Sequence, residues 1–236
     1  MYGVQLSTMA TKTRAATAAK ERLSRDTVAR AALGLVDAEG LDALTVRRLA
    51  TGLGVTPMAL YWHFKDKDAL LDGVAEQLLA EVALPAPDDT VTWDVQLRAA
   101  LEALLAGLAA HPAVAQLVGR RILLNDPGRE IAERILRLLR DGGCSPEQAS
   151  QLGMYALMFM TSLVADEPGL AVGTTNDERD QEVRAKWAAL QALPPKRFPT
   201  IIESAETLTD CAASEQWLGF GLDTLLAGIR GVAPGA

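Results

Sequence analysis

Two glycines and a proline punctuate an otherwise helix-favouring run from Thr45 to Lys67, and they restrict this chain more than any other feature. The run reads Thr-Val-Arg-Arg-Leu-Ala-Thr-Gly-Leu-Gly-Val-Thr-Pro-Met-Ala-Leu-Tyr-Trp-His-Phe-Lys-Asp-Lys. A short helix is expected after Thr45, whose hydroxyl can cap it. Gly52 and Gly54 should end it in a tight turn, since glycine tolerates positive φ. Thr56 should cap a second short helix, with Pro57 at the first position, where its missing N–H costs nothing. Two short helices around a glycine turn make a helix-turn-helix, whose second helix can lie in the DNA major groove. Thr56, Tyr61 and His63 can reach phosphates or base edges, framed by Arg47, Arg48, Lys65 and Lys67. Arg47 is the best base reader, because a guanidinium pairs bidentately with guanine. Tyr61, His63 and Lys67 read as phosphate clamps. Thr45, Pro57, Met58 and Trp62 complete the candidate DNA-binding set.

Helical hairpins also occur in proteins that never touch DNA, so the flanks matter. Ser24 precedes a helix with Val28, Ala31, Ala32, Leu35 and Val36 on one stripe, closed by Gly40. Asp66 caps a further helix with Leu70, Leu71, Val74, Ala75, Leu78 and Leu79 on one face. Residues 23–83 thus read as a compact DNA-binding head.

The net charge of −7 at first argues against DNA, but its distribution reverses the argument. Residues 1–67 hold 10 Lys/Arg and 6 Asp/Glu, a balance of +4, and the remainder carries −11. An acidic body beside a basic head favours one docking orientation. Lys12, Arg14, Lys20, Arg22 and Arg25 make residues 1–22 and the first helix start a basic arm for phosphates or the minor groove, or else a solubilising tail. Met1 to Lys20 lacks the apolar core of a signal peptide, and no apolar run reaches the length of a membrane helix. A cytoplasmic protein is expected. Cys144 and Cys211 form no spaced metal motif and read as small apolar residues.

Hydrophobic residues make up 49% of the chain and aromatics only 5%, which suits Ala/Leu-rich helix packing and an all-α fold. After a boundary at Leu84 to Asp89, residues 90–236 read as a second helical domain. Trp93, Leu97, Leu101, Leu104, Leu105 and Leu108 form one stripe. A short helix follows His111-Pro112, and another follows Asn125-Asp126-Pro127, with Ile131, Ile135, Leu138 and Leu139 inward and Gly142-Gly143 at its end. Ser145-Pro146-Glu147-Gln148 is a capping box opening a long apolar helix to about Asp166. Pro168 to Asn176 reads as a loop, Asp177 to Leu193 as a helix, with another after Pro194-Pro195 and a last one over Ser214 to Ile229. The long helix is apolar nearly all round, which implies burial on more than one side.

Residues 24 to 82 resemble the DNA-binding head of the tetracycline-repressor (TetR) family, most specifically over Leu60-Tyr61-Trp62-His63-Phe64-Lys65-Asp66-Lys67-Asp68-Ala69-Leu70-Leu71-Asp72. Trp93, Gly143-Cys144-Ser145, Asp166-Glu167, Leu193-Pro194-Pro195 and Phe220-Gly221-Leu222 are similar to landmarks of that family's ligand-binding domain. The resemblance implies an all-helical homodimer that binds a palindromic double-stranded operator and leaves it when a small molecule enters the larger domain. It also implies a dimer interface on the long and last helices, carried here by Met158, Trp217, Gly221, Leu225 and Gly228.

In the tetracycline branch a histidine and an acidic residue hold a magnesium–drug chelate. Asp166 matches the acidic position, but the histidine position falls near Val118-Gly119. A metal-free, cofactor-free and mainly apolar effector site is therefore expected. Its candidates are Trp93, Leu97, Leu101, Leu104, Leu108, Val118, Ile122, Ile135, Met154, Leu157, Thr161 and Asp166, between the helix at Trp93–Ala110 and the long helix. With only two histidines and no phosphate loop, metal spacing or nucleophile elbow, an enzyme is not expected. The competing reading is a helical small-molecule carrier that has lost DNA binding.

Overall fold

The computed structural model describes residues 23–165, 176–209 and 214–233. The basic arm, Asp166-Glu167, the loop over 168–175 and Cys211 lie outside the described residues. Among the described residues there are twelve α-helices and no strand, so the fold is all-α as expected. None of these helices is long and apolar enough to cross a membrane.

The head starts with α1 (Arg25–Glu39), capped by Ser24, whose Oγ accepts from Thr27 N–H at 3.0 Å. It ends where Gly40, at φ 82°, donates to the Val36 carbonyl. Thr45 caps α2 (Val46–Leu53) by accepting from Arg48 N–H at 3.1 Å. Gly54, not Gly52, makes the turn: Gly52 stays helical, while Gly54 sits at φ 67° and the Val55 N–H reaches back to the Ala50 carbonyl. In α3 (Pro57–Tyr61), Thr56 occupies the cap position, but its hydroxyl makes no capping bond. Ala59 N–H is taken by the Thr56 backbone carbonyl and Pro57 has no N–H to offer, which leaves that hydroxyl for another partner.

The short α3 is held from below. Leu60 and Phe64 are buried, and the Phe64 ring lies where a side chain on Gly73 would stand: a Cβ there would sit 2.6 Å from the ring. Gly73 belongs to α4 (Lys67–Ala80), capped by Asp66, whose Oδ1 accepts from Ala69 N–H at 2.7 Å. The Arg25 guanidinium covers the same ring at 4.6 Å and pairs with Glu76 at 3.4 Å. Arg25 is therefore a packing residue of the head, whatever the preceding arm does.

The larger domain contains α5 (Trp93–Ala110), α6 (Pro112–Arg121), α7 (Asp126–Asp141), α8 (Pro146–Ala165) and α12 (Ser214–Val232). Asn125 caps α7 through Gly128 N–H at 2.9 Å and also donates to the Arg121 carbonyl, fixing the turn out of α6. Gly143, at φ 85°, ends α7. The capping box of α8 is reciprocal: Gln148 N–H donates to Ser145 Oγ at 3.1 Å, and Ser145 N–H donates to Gln148 Oε1 at 2.9 Å. α12 lies on α8 and α5, tied to α5 by the Arg98–Asp223 and Arg230–Asp94 ion pairs. Between α8 and α12 come α9 (Asn176–Gln191), α10 (Pro199–Glu203) and α11 (Ala205–Thr209), which pack on one another. The helix expected after Pro195 is thus two short ones. Pro199 keeps Phe198 out of the helical region (φ −131°, ψ 49°), so the first cannot start earlier.

α4 joins the two halves. It packs on α1 in the head and on α6 and α7 in the larger domain. Polar contacts from either end of α6 reinforce this joint. At its start, His111 Nδ1 lies 2.8 Å from Asp37 Oδ2 of α1, and Nε2 lies 3.1 Å from Glu81 Oε2, just past α4. At its end, Arg121 Nε donates to Asp72 Oδ1 of α4 at 2.9 Å. The second oxygen of Asp37, Oδ1, is buried without a partner.

Glu81 gives the joint a pH dependence. The Gln77 side-chain amide and His111 hold its carboxyl below the usual carboxylate range, against a smaller opposing effect of burial. A carboxyl depressed in the folded state contributes stability above its unfolded value, about 4.3, and loses it as pH falls through the folded value. Thermal melts from pH 6 down to 3 should therefore show a shallower loss of stability for Glu81→Gln than for the wild type. Parallel curves would mean that Glu81 is energetically silent.

Candidate DNA-reading face and effector cavity

The outer face of α2 and α3 carries side chains that the core does not use. Met58, Tyr61 and Trp62 are exposed, Trp62 by 83%. Large apolar groups clustered on one short helix mark a contact surface more often than chance. Thr56, Pro57, Lys65 and Lys67 are exposed beside them, and His63 is half-buried. Arg47 is exposed with no carboxylate in range among the described residues. Arg48, the next residue, is held in a two-pronged ion pair by Glu39 of α1, which also raises the guanidinium pKa. The two arginines are therefore not equivalent: one is free and the other braces α2 against α1. Thr45 is committed to its cap.

The larger domain holds a cavity of about 390 Å³. α7 and α8 form its long walls, through Ala132, Ile135 and Leu136 on one side and Ser150, Gly153, Met154, Ala156, Leu157 and Met160 on the other. Gly119 and Arg120 of α6, with Ile122 and Leu123 of the following 3-10 turn, close one end, and α5 contributes only Leu104. Of the expected lining, Leu104, Ile122, Ile135, Met154 and Leu157 meet here. Leu97, Leu101, Leu108 and Val118 are buried in the core and do not line it. Thr161 is buried, with its hydroxyl donating to the Met158 carbonyl at 3.0 Å. Trp93 packs at the end of α7, where a Cβ on Gly142 would come within 2.8 Å of its ring. Asp166 lies outside the described residues.

The space thus opens between α7 and α8, rather than between α5 and α8, because the leucine stripe of α5 is consumed in packing. The lining contributed by Gly119, Arg120, Leu123, Ala132, Leu136, Ser150, Gly153, Ala156 and Met160 was not legible in the pattern. Small residues leave room only when their neighbours do, which composition does not reveal. Among the described residues no group of three His, Cys, Asp or Glu side chains could hold a metal ion.

The residues expected at a dimer interface divide into two groups. Trp217 Nε1 donates to the Leu163 carbonyl at 3.1 Å, and a Cβ on Gly221 would lie 2.6 Å from the Leu163 side chain. Both hold α12 on α8 within one chain, and Leu225 is half-buried against the same core. Met158 and Gly228 are exposed. Around Met158, at 59% exposure, lie Met154, Tyr155 and Phe159 on α8, while Phe220 on α12 is 76% exposed.

Residues 29–74 match the family model for bacterial regulatory proteins of the tetR family, and residues 84–233 match the tetracyclin repressor-like C-terminal domain. The tetracycline repressor protein class D of Escherichia coli is 30% identical over 213 residues, covering 89% of this chain and 90% of that one. The HTH-type transcriptional repressor DrrR1 of Streptomyces coeruleorubidus is 31% identical over 221 residues, covering 89% and 78%. The crystal structure of the TetR family protein ActR of Streptomyces coelicolor in complex with actinorhodin aligns with a TM-score of 0.75 at 32% identity, over 90% of this chain and 99% of that one. The chain belongs to the tetR family of bacterial regulatory proteins, with a C-terminal domain of the tetracyclin repressor-like class.

Proposed function

We propose that this regulator is a ligand-responsive repressor. It binds a palindromic operator as a homodimer and leaves it when a small, mainly apolar molecule fills the cavity between α7 and α8. The observation that carries this reading is the place of Arg121. Arg120 and Ile122, its neighbours in the chain, line the cavity, while Arg121 itself grips Asp72 on the helix that carries the head. A ligand that repositions the end of α6 therefore acts directly on α4. The effector must prefer the arrangement in which the heads are wrongly spaced, because equal affinity for both would shift nothing. The lining favours an apolar effector, and near Val118-Gly119, where the family resemblance asks for a metal-binding histidine, this chain has none.

A homodimer is favoured by the exposed strip of Met154, Tyr155, Met158 and Phe159 on α8, together with the exposed Phe220 on α12, which packs on α8. Contiguous apolar surface of this kind is costly to leave in water. Two heads roughly 34–36 Å apart read successive major grooves, which a single head cannot. Glu at Met158 would place a charge in that interface. Sedimentation of Met158→Glu should show monomers, and an intact dimer would move the contact off α8.

Arg47→Ala should weaken operator binding by about 1–3 kcal/mol and relax base preference. Arg48→Ala, removing a residue already committed to Glu39, should cost less in base discrimination than in thermal stability. Footprinting on operator and scrambled DNA separates the two. Undiminished selectivity in Arg47→Ala would remove it from the reading set.

Arg121→Met keeps the bulk of the side chain and removes the grip on Asp72. The variant should still bind effector but need a higher effector concentration to leave DNA. Release at the wild-type concentration would show that the head is moved by another route.

A further inference from the structure

We propose that Arg120 makes the cavity a site for amphipathic acids: an apolar skeleton bearing one ionised carboxylate or acidic phenol, whose charge Arg120 receives. The proposal rests on the reading of this cavity as the effector site and adds the chemical class of the effector.

The lining is almost wholly carbon and sulfur, with two exceptions, Ser150 and Arg120. The Ser150 hydroxyl has its one proton committed to the Pro146 carbonyl at 2.8 Å and has none to offer an anion. Arg120 has no hydrogen-bond or carboxylate partner among the described residues. Every other arginine of α6 and α7 has one. Arg121 holds Asp72, Arg129 holds Asp126 and the Leu123 carbonyl, and Arg134 donates to Gln96. Arg137 holds Glu133, and Arg140 donates to the Cys144 carbonyl. The one guanidinium left unpaired in this stretch belongs to Arg120, an exposed residue at the rim of the cavity whose side chain is part of the lining.

A cation in the last turn of α6 also suits the helix dipole, but that interaction is modest and does not require a place on an apolar wall. The consequence for ligands follows from desolvation. A neutral apolar molecule seated against Arg120 would displace the water on the cavity side of its unpaired guanidinium and give nothing in return, which carries a cost. An acid of the same shape would replace that water with a charge-assisted, planar two-pronged pair. Arg120 therefore both attracts acids and discriminates against their neutral analogues. Because Arg121 follows it directly, a ligand pulling on Arg120 acts on the residue that grips α4.

The test uses the full-length protein and two probes of nearly equal shape, 2-naphthaleneacetate and 2-naphthaleneacetamide, in isothermal titration calorimetry. Wild type should bind the acid at least about 10-fold tighter than the amide, as expected for a hydrogen-bonded charge. Arg120→Met should lose that preference while keeping its affinity for the amide, and Arg120→Lys should keep part of it. Leu157→Trp, which fills the cavity, should weaken both probes. Equal binding of acid and amide by the wild type, or an unchanged preference in Arg120→Met, overturns the role of Arg120 while the cavity reading stands. If neither probe binds, or Leu157→Trp weakens neither, the cavity reading fails and the proposal goes with it. Melting curves of Arg120→Met matching wild type exclude a folding defect.

Discussion

Helix α4 is asked to belong to two cores at once. Leu70, Gly73, Val74, Ala75, Leu78 and Leu79 are all buried, and they point in more directions than one apolar stripe allows. α1 takes one side, and α6 and α7 take the other. Every close-packed interface made by this helix therefore restrains the others, because interiors at crystal-like density transmit displacement rather than absorb it. The head cannot tilt without α4, and α4 cannot move without disturbing the end of α6. Gly73 shows how tight the arrangement is on the head side, since the Phe64 ring occupies the space of its missing side chain.

Much of this was legible because it is local. Ser24, Thr45, Asp66, Asn125 and the Ser145/Gln148 pair cap their helices through bonds spanning three residues, and such bonds are written in consecutive letters. The exposed face of α2 and α3 was legible for the same reason: its side chains come from one contiguous hairpin. Gly52 was misjudged because two glycines in a row of three offer the same freedom, and only Gly54 was placed to give the carbonyls of Ala50 and Thr51 their donors. The cavity was only partly legible. Leu97, Leu101 and Leu108 carry the same pattern as Leu104 and are as fully buried, yet only Leu104 lines the cavity, and that difference lies in tertiary packing. The His111–Asp37 contact joins residues 74 apart, and nothing in the spacing announces it.

The polar contacts at the joint have a different character from the apolar packing around them. His111 is largely enclosed, with two carboxylates on its ring, and one oxygen of Asp37 is buried with no partner. A buried acceptor left unsatisfied costs about 1–3 kcal/mol. The joint thus combines a well-packed helix with a clasp that is not at its own optimum. Ion pairs of partial exposure, such as Arg121 with Asp72, are worth little individually. A linkage built this way holds one orientation without making it overwhelmingly stable.

That balance suits the part α4 plays in the proposed function, in which a small ligand moves it. A ligand can shift a two-state joint only by its difference in affinity between the two states, and reversing a 1:99 population needs about 5.5 kcal/mol of such difference. A joint sealed by apolar contacts alone would demand more than one ligand in a cavity of about 390 Å³ readily supplies. Under the proposed function, a switch that kept the apolar surface of α4 buried would leave the exchange to His111 and Arg121 at the two ends of α6. Their partners are carboxylates, whose loss of contact is softened by water. The cost of such a switch would then be set by a few polar groups, one of which, Arg121, follows Arg120 of the cavity lining.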